Sequence, residues 1–186
     1  MNKGIKDRIA DSWLSMAKSR SPDKITVQEI SSSCGISRQT FYKYFQDIID
    51  VMRWSFEREV RNAYSECMKI DDSDRAMEFF ITRVIENDKI LRRAMGSSFH
   101  GQTREICESA FRRIVEEDLC GRASGFAVKQ SDMKILADFC THGLMGLFMQ
   151  YCADSEIDIP DFSAKVNRLI NSAVKFLTQP DNQANL

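Results

Sequence analysis

Apolar residues in this chain recur at intervals of three and four far more often than in strict alternation, which predicts helices throughout. Runs rich in Val, Ile and Thr that would favour strands are nearly absent. Ile5, Ile9, Ala10, Trp13, Leu14 and Ala17 share one face of a first helix, and "SRSPD" ends it because Pro22 cannot continue the ladder. Thr26 and Glu29 have capping-box spacing and open a short second helix with Val27, Ile30 and Cys34 inward. Gly35 supplies a left-handed stop, and Ser37 caps a third helix. Asp47 caps a fourth, whose apolar stripe keeps one register from Ile48 to Met68. "DDSD" interrupts the pattern. A fifth segment follows with Ala76, Phe79, Phe80, Val84 and Ile85, then a short sixth with Ile90, Leu91, Ala94 and Met95. "GSSFHGQ" reads as a loop, Ile106 to Val115 as a helix, and "CGRASG" as a second loop. The last two helices are the most apolar. One carries Met133, Leu136, Ala137, Cys140, Leu144, Leu147, Phe148 and Tyr151 on one face, with Ile135, Phe139, Met145, Met149 and Cys152 off it; a helix so broadly apolar must be covered on more than one side. The other opens at Pro160 and Asp161 and bears a clean stripe from Phe162 to Leu177, before a tail, "QPDNQANL", expected to fray.

The expected fold class is therefore all-α, in a chain of 186 residues that is long enough to bury a substantial core. Hydrophobic residues make up 43% and charged residues 28%, which reads as globular. With no basic–apolar–small leader pattern and no membrane-length apolar run, a cytoplasmic protein without a membrane partner is expected. Six scattered cysteines without a C-x-x-C pair read as reduced, half-buried small hydrophobes. The net charge of −1 conceals an asymmetry. Residues 1–46 hold eight Lys or Arg against four acids, a net of +4, while the remainder carries −5. A basic head on an acidic body points the head toward a polyanion.

That head has the helix–turn–helix arrangement, with a glycine in the turn. On the third helix Phe41 and Phe45 fall one turn apart and face the first two helices, while Arg38, Gln39, Tyr42 and Lys43 gather on a separate broad face. Arg and Gln offer forked donors to base edges, and Tyr42, Lys43 and Tyr44 can donate to phosphate oxygens. A merely solvated helix face would not need two tyrosines among its basic residues.

The run "ITVQEISSSCGISRQTFYKYFQDIIDVM" resembles the DNA-binding domain of TetR-type transcriptional regulators over about residues 5–55. The matching features are Thr26, Ile30, Gly35-Ile36-Ser37 and Thr40-Phe41-Tyr42 followed by Tyr44-Phe45; "RQTFYKYFQDI" is similar to the branch near dihydroxyacetone-kinase operon regulators. The resemblance implies a DNA-binding domain at 1–46 and a larger regulatory and dimerisation domain at 47–186. It implies a homodimer through the last two helices, a palindromic double-stranded operator, and most often a repressor released by a small-molecule or protein signal. Thr26, Ser37, Arg38, Gln39, Thr40, Tyr42, Lys43 and Tyr44 are the expected DNA-binding residues. The family often has a phosphate-contacting Lys where this chain has Ile48, a departure that would weaken affinity and flatten its salt dependence. Ile48 keeps an alternative open, a helical ligand- or partner-binding module, or an activator, with weak DNA affinity.

Phe79, Phe80, Met95, Phe99, Phe139, Met145 and Met149 are the candidate lining of a ligand pocket, although such stripes also serve as plain core. Gly143 and Gly146 would allow close helix approach, at a dimer seam or within the chain. Cys140, His142 and Cys152 do not form a tight ligand cluster, since residues two apart on a helix point nearly opposite ways, so no metal is expected. No catalytic triad, P-loop or nucleotide fingerprint is readable, so neither an enzyme nor a cofactor is expected.

Overall fold

Every regular element of the computed structural model, which describes residues 4–86, 88–153 and 158–179, is helical. The order is α1 (Ile5–Ala17), a single 3-10 turn (Pro22–Lys24), α2 (Val27–Ser33), α3 (Arg38–Tyr42), α4 (Ile48–Cys67), α5 (Ser73–Ile85), α6 (Asp88–Met95), α7 (His100–Arg122), α8 (Gln130–Ala153) and α9 (Ile159–Thr178). Packing divides the chain into two compact units: 1–59 with 86–107, and 60–85 with 108–186. The first takes in α1 to α3, the opening turns of α4, α6 and the start of α7.

The core of the first unit is made by large side chains that lose all or nearly all contact with water: Ile9, Trp13, Ile30, Phe41, Phe45, Met52, Ile90 and Ile106. Full burial of a side chain of this size contributes about 1.5–3 kcal/mol. Trp13 meets Phe56 edge-on at 6.1 Å. At the α1–α4 contact, Arg58 donates to Asp11 at 2.6 Å and Asp7 at 3.2 Å, and its guanidinium stacks 4.9 Å from the Trp54 ring. The far end of α6 grips the α1 exit. Arg93 donates to the Lys18 carbonyl at 2.5 Å, and Asp23 accepts from both the backbone and the hydroxyl of Ser98.

In the second unit α9 packs on α5 and α8. One apolar cluster runs through Leu119, Leu136, Ala137, Cys140, Val166, Ile170 and Val174, and another through Val60, Tyr64, Cys67, Ala110 and Ile114. Asn167 is the buried polar centre. Its amide donates to Ser73 Oγ at 3.2 Å and Asp74 Oδ1 at 2.7 Å, tying α9 to the first turn of α5, and its oxygen accepts from Arg122 at 3.0 Å.

Two expected loops are shorter than their composition suggested. α7 already begins at His100, because the Ser97 hydroxyl accepts the Phe99 N–H and Thr103 N–H closes on the Phe99 carbonyl at 2.8 Å. At its other end α7 runs on to Arg122, whose Nε binds Asp118 one turn back at 2.7 Å; the chain turns only at Gly125, φ +88°. Residues 180–186 of the tail and the side chains of Tyr151 and Cys152 lie outside the described residues.

Candidate nucleic-acid interface

The interface begins with the local rules that hold α2 and α3. Thr26 Oγ1 accepts from the Glu29 N–H at 3.2 Å, while the Glu29 carboxylate accepts from the Thr26 N–H at 2.9 Å, a reciprocal capping box worth roughly 1 kcal/mol. Arg20 extends this outward, with Nη1 on Glu29 at 2.7 Å and Nη2 on the Lys24 carbonyl at 2.7 Å. At the other end of α2, Gly35 takes φ +62°. Ile36 N–H then bonds Ser31 O at 3.0 Å and Gly35 N–H bonds Ser32 O at 3.1 Å, the paired bonds of a Schellman stop. The Arg8 guanidinium adds a donor to the Cys34 carbonyl. Four residues after α2, Ser37 Oγ accepts from Thr40 N–H at 3.0 Å and starts α3.

Hydrogen bonds from Arg20 and then from Thr26 hold the Glu29 carboxyl down to about 2, from an ordinary 4.5. A carboxylate depressed in the folded state stabilises that state fully above its unfolded value. Its contribution is lost as pH falls from about 4.5 through about 2. Glu29→Gln should therefore flatten the acid limb of the first unit's unfolding, because the variant has already lost at pH 7 the stabilisation that the wild type loses only on acidification. Acid titrations of the two proteins followed by tryptophan fluorescence check this; parallel acid limbs would be contrary.

α3 is shorter than its pattern suggested. The helix ends at Tyr42, and Lys43 to Phe45 continue as a tight turn with Tyr44 N–H and Phe45 N–H both bonding the Phe41 carbonyl. Phe41 and Phe45 are nonetheless buried together, ring centroids 6.0 Å apart. Phe45 also meets Trp54 edge-on, and the Lys6 ammonium lies 5.1 Å from the Phe45 ring. With the rings beneath, Ser37, Arg38, Gln39, Tyr42, Lys43 and Tyr44 are exposed, as is Thr26, and Thr40 is half-buried against Ser37. Tyr42 keeps half its surface in water, although its ring abuts Phe41 at 5.5 Å. A charged, donor-rich face thus sits on a rigid apolar base, the layout needed to present side chains to a groove. Ile48 is half-buried at the start of α4, where Asp47 caps by accepting from Asp50 N–H at 2.8 Å.

The seven ligand candidates are divided between the two units. Met95 and Phe99 belong to the first unit, and the rest to the second. Phe139 is 74% exposed, Met145 is buried, and Phe79 and Met149 are half-buried. Phe80 does line a cavity of about 400 Å³ in the second unit, beside Tyr64, Cys67, Met77, Ile114 and Leu144, which the sequence reading did not single out. Their spacing carried no signal, because an apolar stripe is written alike whether it meets another side chain or a void. Cys140 is buried and His142 exposed, and among the described residues no three His, Cys, Asp or Glu side chains assemble as a metal site. No described helix is long and apolar enough to cross a membrane.

No family model and no curated protein matches the chain. Solved structures do. The dihydroxyacetone kinase operon activator DhaS superposes with a TM-score of 0.67 at 14% identity, over 94% of this chain and 98% of that one. A TetR-family transcriptional regulator from Streptomyces coelicolor gives 0.63 at 13%, over 96% and 88%. The TetR family repressor AlkX from a Dietzia species gives 0.57 at 14%, over 92% and 98%. An all-helical chain with its turn glycine, caps and seated α3 in these places has the fold of the TetR-type transcriptional regulators.

Proposed function

We propose that this chain is a DNA-binding transcriptional regulator acting as a homodimer, with residues 1–46 reading DNA and residues 47–186 dimerising and receiving a signal. One observation carries the reading: Arg38, Gln39, Tyr42, Lys43 and Tyr44 stand in solvent on a short helix and the turn that follows it, over a buried Phe41 and Phe45. In this reading α3 enters the major groove, Arg38 and Gln39 meet base edges, and Thr26, Ser37, Thr40, Tyr42, Lys43 and Tyr44 contact the backbone. A two-fold dimer then requires a palindromic operator with half-sites one helical turn, or a multiple, apart.

The dimer surface is supported by large apolar side chains left in water on two neighbouring helices. On α8 these are Ile135 and Phe139, in line with Gly143 and Gly146; on α9 they are Leu169 and Phe176. A second copy pairing α8 and α9 with their two-fold mates would cover them. Repression relieved by a small-molecule or protein signal is the working assignment. The likeness to DhaS, named an activator, makes the sign of regulation a matter for a promoter–reporter assay.

Fluorescence anisotropy with DNA from the promoter region tests the reading. Arg38→Ala should cost about 1–3 kcal/mol, roughly 5- to 150-fold, and relax discrimination at one base position. Tyr42→Phe should weaken all sequences alike and by less. Affinity should fall with salt, since phosphate contacts release counterions. Unchanged affinity in both variants would remove the assigned face, and a flat salt response would favour the partner-binding alternative.

A further inference from the structure

Two cations flank the Trp54 ring, and they differ in what else they hold. The Arg58 guanidinium lies 4.9 Å from the ring centre and is matched by three carboxylates, Asp11 at 2.6 Å and Asp7 and Glu59 at 3.2 Å. The Lys6 ammonium, on the first turn of α1, lies 5.4 Å from the Trp54 ring centre and 5.1 Å from that of Phe45. Among the described residues no carboxylate, carbonyl or hydroxyl binds it, although Lys6 is half-buried. A half-buried cation without a counter-charge is tolerated where ring faces supply negative potential, and such a contact leaves its three N–H donors unspent. Phe45 closes the turn that carries Lys43 and Tyr44, both exposed. The ammonium therefore borders the α3 face and continues it onto α1. Residues 46–52, which lead from that turn into α4, hold Asp47 and Asp50 but no basic side chain.

We propose that Lys6 is a further DNA-contacting residue, its ammonium donating to a backbone phosphate beside the groove that α3 would enter. This deepens the DNA-binding reading and rests on it. A phosphate oxygen brings the full negative charge that the rings lack, so Lys6 gains a charge-assisted bond without first leaving a carboxylate. Arg58, matched three times over, has no such gain. The two rings also fix the end of a long side chain whose ordering otherwise costs affinity. A phosphate contact carries no base information. Lys6 thus adds affinity to every sequence alike and sets where α1 lies along the backbone.

The test follows the anisotropy of a labelled promoter-region duplex with the full chain across a salt series. Lys6→Gln should lower the slope of log affinity against log salt by about 0.9 per protomer, or about 1.8 for a dimer. Its loss of affinity should then be roughly tenfold larger at about 50 mM salt than at about 200 mM. Lys6→Met, which keeps an apolar stem on the rings, should do the same. Lys6→Arg keeps the charge over the rings and should restore the wild-type slope. Lys69→Gln removes an exposed ammonium of the second unit, 2.7 Å from Glu66, and should leave the slope unmoved. Preference for the promoter duplex over a scrambled one should be the same in Lys6→Gln as in the wild type. A slope unchanged in Lys6→Gln and Lys6→Met overturns the contact even where affinity falls, since that pattern marks lost packing. An equal drop in Lys69→Gln overturns it as well, as a general effect of net charge. A wild-type chain without salt-dependent duplex binding would strike the DNA-binding reading itself, whereas salt-dependent binding with an unmoved Lys6→Gln slope would strike Lys6 alone.

Discussion

Phe139→Asp should turn the proposed dimer into monomers at micromolar concentration while leaving helical content and the melting of the isolated chain unchanged. The side chain is 74% exposed, so its replacement removes almost no packing within the chain. In a two-fold interface the same residue is lost twice. Burying each phenylalanine contributes about 1.5–3 kcal/mol, so the pair accounts for about 3–6 kcal/mol, or roughly 10²–10⁴ in dissociation constant. The new carboxylates would add to this by resisting desolvation. Light scattering gives the mass, and operator affinity should fall with it, because one head cannot hold both half-sites. A dimer that persists at micromolar concentration would place the seam elsewhere than on the exposed α8–α9 face.

Phe41→Ala should destabilise the first unit by about 3–5 kcal/mol, the usual cost of deleting a fully buried phenylalanine. α3 has five residues and cannot stand without tertiary support. Phe41 supplies that support, against Phe45 at 6.0 Å and the edge of Tyr42 at 5.5 Å. Both tryptophans, Trp13 and Trp54, lie in this unit, so urea unfolding followed by intrinsic fluorescence reports it selectively. The midpoint should drop sharply and DNA affinity with it, whereas Arg38→Ala should lower affinity at an unmoved midpoint. If Phe41→Ala shifts the midpoint no more than Arg38→Ala does, the two rings are not what seats the helix.

The contrast between those two variants shows why the head was legible in the sequence and much of the body was not. Caps and stops are short-range chemistry. Thr26 with Glu29, Gly35 in its left-handed turn, Ser37 and Asp47 each act on backbone groups within a few residues, so the sequence alone predicts them. Phe41 and Phe45 were separable from Arg38 and Gln39 because the helix is two-faced. α8 is not. Apolar on most sides, it offers no local reason why Met145 should be buried and Phe139 left in water; what packs against it decides. Likewise nothing in the spacing of Met95 and Phe99 announces that they fall in the first unit, where α6 folds onto the α1 exit. The Gly- and Ser-rich "GSSFHGQ" suggested a longer loop, and one serine hydroxyl was enough to start α7 three residues after Ser97.

The bond between Asp23 and Ser98, with Arg93 on the end of α1, bears on how this protein can be cut and recombined. A fragment trimmed at residue 46 would keep every group assigned to the operator. It would also strip the covering from Trp13 and Phe45 and leave Asp23 without its distant donors. A chimera that transplants this specificity onto another sensor should carry residues 1–59 and 86–107 as a single graft, its two pieces separated in the chain but inseparable in folding.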